Sequence, residues 1–98
     1  MKDTNMATLE LLPQDFYTGD YEFEYGFVVM SVGFINTFKQ DATHVAGQAL
    51  EMLRKAPPAI DYIQTFVYNN NIKFWVMANC LREERDSNII TFLLEDEY

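Results

Sequence analysis

The side chains best suited to chemistry in this chain are one cysteine, Cys80, and one histidine, His44. A thiol and an imidazole make a nucleophile and its base only if the fold brings them within hydrogen-bond reach. They fall on different expected elements, Cys80 near the end of a strand and His44 on the outer face of a helix, so no such pair is expected. Metal sites fare no better, because no Cys-x-x-Cys, His-Glu-x-x-His or spaced calcium-loop acids occur. The acids cluster loosely as Glu83, Glu84 and Asp86, and again as Glu95, Asp96 and Glu97. Acid-base work by paired carboxylates needs a cleft and a raised pKa. Glu22 and Glu24 instead alternate with aromatics, which predicts an exposed strand face. Gly19, Gly26, Gly33 and Gly47 are scattered and build no phosphate loop. No enzymatic activity and no cofactor are expected.

The net charge is −8. It argues against direct binding to nucleic-acid phosphates and to anionic membrane surfaces, and it suits a basic protein partner or simply solubility. One cysteine cannot form an internal disulfide, and no apolar segment follows Met1-Lys2-Asp3-Thr4-Asn5. The expectation is a cytoplasmic protein without signal peptide or membrane span.

At 98 residues, 49% hydrophobic and 15% aromatic, the chain is expected to form a single domain over 1–98, with residues 1–20 ambiguous and 95–98 a solvated acidic tail. The strongest local signal runs from Ala59 to Leu81. Two runs rich in β-branched and aromatic residues flank Asn69-Asn70-Asn71, a hairpin whose asparagines tolerate the left-handed backbone of a tight turn. A two-residue turn at Asn70-Asn71 sets Val67 opposite Phe74 and sorts the side chains. Ile63, Thr65, Val67, Ile72, Phe74, Val76 and Ala78 then face the core. Tyr62, Gln64, Phe66, Tyr68, Lys73, Trp75 and Met77 form the other face. A three-residue turn would mix these sets.

Ala7 to Leu12 reads as a short strand or a helical turn ended by Pro13. Tyr21 to Asn36 reads as one long strand, the alternative being two strands broken near Ser31-Val32-Gly33. Its run Phe27-Val28-Val29-Met30 is the kind expected where both faces are covered. Asp41 to Ala56 reads as an amphipathic helix, N-capped by Asp41, with Val45, Ala49 and Leu53 inward and a Glu51–Lys55 pair outward. Ile89 to Leu94 is the last strand. The order (β)-β-α-β-β-β predicts an α+β two-layer domain, one helix on a mainly antiparallel sheet of four to five strands.

What remains is an acidic domain with an aromatic sheet face. Tyr62, Phe66, Tyr68 and Trp75 are the expected interface anchors, and Glu22, Glu24, Glu83, Glu84 and Asp86 the steering acids. The expected partner is a basic protein surface, such as that of a nucleic-acid-binding protein or nuclease, and the expected role is inhibition. The alternative is a self-associating homodimer. In size, charge and lack of catalytic motifs the chain is similar to small acidic inhibitors of phages and mobile elements, such as anti-CRISPR proteins. No motif carries that likeness, and no residue role follows from it.

Overall fold

A computed structural model of the chain describes residues 8–13, 19–55 and 61–97. Among the described residues there are five strands: β1 (Leu9–Leu11), β2 (Phe27–Met30), β3 (Ile63–Tyr68), β4 (Ile72–Ala78) and β5 (Ile89–Leu94). Between β2 and β3 lie α1 (Val32–Phe38), a 3-10 turn (Lys39–Asp41) and α2 (Ala42–Arg54). The sheet order is β1-β3-β4-β5-β2. All pairings are antiparallel except β2 with β5. The result is the expected α+β two-layer architecture, with helices on one face of a mostly antiparallel sheet.

The core lies between these layers. Val45, Ala46, Ala49 and Leu53 of α2 and Phe34 and Phe38 of α1 are buried with Phe66, Phe74, Val76, Ala78, Ile90 and Phe92 of the sheet. Phe34 is its centre. Its ring lies 4.8 Å from Phe38, 5.2 Å from Phe74 and 5.3 Å from Phe92, in tilted or edge-on contacts. Such geometry suits the ring quadrupoles and adds to the burial of apolar area. The expected inward face of α2 is the observed one, and Lys55 pairs with Glu51 at 3.5 Å.

Two expectations fail for identifiable reasons. The hairpin pairs Tyr68 with Ile72, Phe66 with Phe74 and Thr65 with Trp75, so three residues rather than two form the connection. Asn69 and Asn70 take positive φ, and Thr8 clamps Asn69 from β1, its N–H donating to Asn69 Oδ1 and its carbonyl accepting Asn69 N–H. The faces are therefore mixed. Gln64, Phe66, Phe74, Val76 and Ala78 are buried beneath the helices, while Ile63, Thr65, Val67, Lys73, Trp75 and Met77 lie on the opposite face.

The long strand from Tyr21 is also absent. Residues 23–26 bend, the strand is four residues long, and the chain turns into α1 at Ser31. Ser31 is extended and its hydroxyl accepts the Phe34 N–H at 3.0 Å, a helix N-cap. Asp41 sits at the expected N-cap of α2, but its side chain makes no capping bond there. Ala56 and the segments 1–7 and 14–18 fall outside the described residues.

Candidate functional site

The sequence-expected interface residues do not meet in one place. Phe66 is enclosed in the core, stacked 5.4 Å from Phe74, so this fold leaves it no surface to offer. Tyr68 is half-buried and packs edge-on against Phe38. Tyr62 is exposed at the start of β3, its ring 5.9 Å from Tyr21. Trp75 is half-buried on the sheet face away from the helices. Among the acids, Glu24, Glu83, Glu84 and Asp86 are exposed, whereas Glu22 is buried. Glu24 lies 3.6 Å from Arg54 and 3.9 Å from Arg82. Arg82 also bonds Asp20, a hydrogen bond that raises the guanidinium pKa further.

A different surface stands out, built by one stretch of chain. From Tyr25 to Phe38 there is no charged residue. Within it Phe27 is 80% exposed, Val32 74%, Ile35 47%, and Val28 and Val29 43% each. Among the described residues β2 is the outer strand of the sheet, paired on one side only. The Phe27 N–H donates to the Asn88 carbonyl at 3.1 Å and the Ser31 N–H to the Phe92 carbonyl at 2.8 Å. Successive residues of a strand direct their main-chain groups to opposite sides, so those of Val28 and Met30 face outward. Phe27 sits beside Ile89, itself exposed, and Val29 beside Thr91, so this edge continues onto the open sheet face that carries Trp75.

Natural edge strands are usually guarded by lysine, proline or a bulge. Here only shortness guards the edge. Apolar exposure of this kind makes the edge a candidate site of association. Sequence reasoning missed Phe27, Val28, Val29, Val32 and Ile35 because a continuous apolar run signals burial. The available sign was the length of the uncharged stretch in a chain otherwise rich in acids.

Two polar residues position this edge. Asn88, buried, accepts the N–H groups of Asn79 and Cys80 on Oδ1 and donates from Nδ2 to the carbonyls of Glu22 and Tyr25 at 2.9 and 2.7 Å. It joins the bend before β2 to the connection before β5. Gly26 makes this approach tolerable, since its φ is +149° and a Cβ there would lie 2.8 Å from the Asn88 carbonyl oxygen. Buried Glu22 accepts the N–H groups of Glu24 and Tyr25 on Oε2, each at 2.7 Å, and among the described residues its Oε1 has no hydrogen-bond partner.

Both ends of the edge carry acid. Asp86 lines a shallow concavity with Tyr25, Gly26, Phe27 and Asn88. At the other end the exposed residues Glu95–Glu97 form a 3-10 turn, and Glu97 accepts the Ser31 hydroxyl and the N–H groups of Gly33 and Leu94. These bonds, the Ser31 hydroxyl foremost, hold its carboxyl below the usual carboxylate range.

His44 is exposed on α2, and Cys80 is half-buried before the 3-10 turn Arg82–Ser87. Among the described residues no hydrogen bond joins them. No group of three metal-ligating side chains occurs among the described residues, and no described helix is long and apolar enough to cross a membrane. Compared with protein families, curated protein sequences and solved structures, the chain matches none of them.

Proposed function

We propose that this chain is a protein-interaction module that binds a basic partner protein through the β2 edge and the adjoining face of α1. The observation that carries this reading is the exposure of Phe27, Val28, Val29, Val32 and Ile35 on one uncharged stretch of an acidic chain. Burying such residues on a partner gains about 25 cal/mol per Å² of apolar area. The net charge of −8 favours basic surfaces and disfavours acidic ones. Proteins that grip nucleic acids carry such basic surfaces, and inhibition by occupying one is the narrower form of the reading. Trp75 and Tyr62 join the contact where it extends over the open sheet face. The test compares the unmodified chain with Phe27→Asp, both immobilised, in extract of the source cells. The expected result is a basic protein retained by the first and lost by the second, with equal unfolding midpoints. Equal retention by both would contradict the reading.

A second reading is self-association, favoured by the absence of any charge along the edge itself. Sedimentation equilibrium of the purified chain gives its mass directly, a dimer in this case.

A further inference from the structure

Resting on the reading that the β2 edge is the interface, we infer that its occupant is an extended segment of a partner protein, joined by main-chain pairing, apolar in the middle and basic at both ends. The outward main-chain groups of Val28 and Met30 supply a ladder that an added strand can complete, as β-augmentation requires. Phe27 and Val29 on one side of the strand, with Val28 on the other, give apolar neighbours for the segment's middle residues on both faces.

The ends decide the charge. Asp86 lies by Phe27, and Glu97 is bonded to Ser31 and Gly33. Glu97, like any glutamate of ordinary or lowered pKa, is ionised at neutral pH. β2 spans four residues, about 13 Å at strand rise. A complementary segment therefore carries Lys or Arg roughly four to six residues apart, one at each end. A second copy is a poorer fit. Antiparallel pairing of β2 with itself sets Asp86 of each chain beside Glu97 of the other, like charge on like at both ends. Such juxtaposition works against association.

The test uses the full chain and two capped peptides, KKVTVTVKK and EEVTVTVEE, with amide hydrogen exchange read by NMR. The lysine peptide is expected to bind saturably and to slow exchange at Val28 and Met30 by at least about tenfold, with Phe27 and Val29 little changed because they already bond β5. The glutamate peptide is expected to bind roughly tenfold or more weakly, a gap that narrows as salt is added. Saturable binding without slowing at Val28 and Met30 would overturn main-chain pairing and leave the interface reading standing. Equal binding of both peptides would overturn the basic ends. A dimer of the chain alone, with Val28 and Met30 already protected, would replace the partner segment by a second copy. Absence of binding by either peptide up to about 1 mM would overturn the inference, while the retention test with Phe27→Asp judges the interface reading separately.

Discussion

Asn88 is the residue on which the edge hangs. Its side chain makes four hydrogen bonds to main-chain groups of two separate loops, in a buried position. Asn88→Ala strands those groups, and each buried orphan costs about 1–3 kcal/mol. A loss of roughly 2–5 kcal/mol is expected by chemical denaturation, since water entering the gap recovers part of the cost. Gly47 is the opposite case. It lies exposed within α2, and a Cβ there meets nothing within 4 Å. Gly47→Ala is therefore expected to raise stability by about 1 kcal/mol, the usual helix preference, to which the reduced freedom of the unfolded chain contributes; no gain in the chemical-denaturation midpoint would mean that position 47 is not an open helical site. Glu97 gives a pH dependence. Its folded pKa is lowered, so its contribution is present above the ordinary carboxylate range and is lost as pH falls through the folded value. The unmodified chain should lose its lead over Glu97→Gln as the pH of the unfolding series drops from neutral to below about 4.

At the scale of elements, α1 explains most of what could not be read from residue order. Val32, Ile35 and Thr37 are β-branched and Phe34 and Phe38 aromatic, all residues that favour strands. Tertiary packing overrides that preference: Phe34 and Phe38, four apart, fill the core, and the Ser31 cap and Glu97 hold the first turn. Phe34→Ala is expected to cost about 3–5 kcal/mol, while Val32→Ser, exposed on the opposite side of the helix two residues away, should stay within about 0.5 kcal/mol. Comparable losses from both would mean that α1 packs by another face. α2 was legible because its apolar spacing of three and four residues has a single physical meaning. The β3–β4 hairpin was legible as an element, but its register was not. Three consecutive asparagines offer several turns, and the choice is made by Thr8, far off in sequence. The β2 edge was misread for a related reason. An apolar run shows only that a surface avoids water, not whether this chain or another one covers it.

For the whole molecule, acid and apolar surface divide the work. On the proposed reading the charge of −8 acts at long range, raising the encounter rate with a basic partner. On the same reading the uncharged edge would act on contact and set how slowly the complex separates. Added salt should therefore slow association with the retained partner, whereas Phe27→Ala should mainly speed dissociation. Salt-independent association would leave the acids no role beyond solubility.

The central claim is that the exposed stretch around β2 is where another protein sits. The most direct measurement places a photo-crosslinking amino acid at position 27, and in a separate chain at position 48 on the exposed side of α2, inside the source cells. A discrete adduct with a basic protein is expected from position 27 and none from position 48. No adduct from position 27, or the same adducts from both positions, would contradict it.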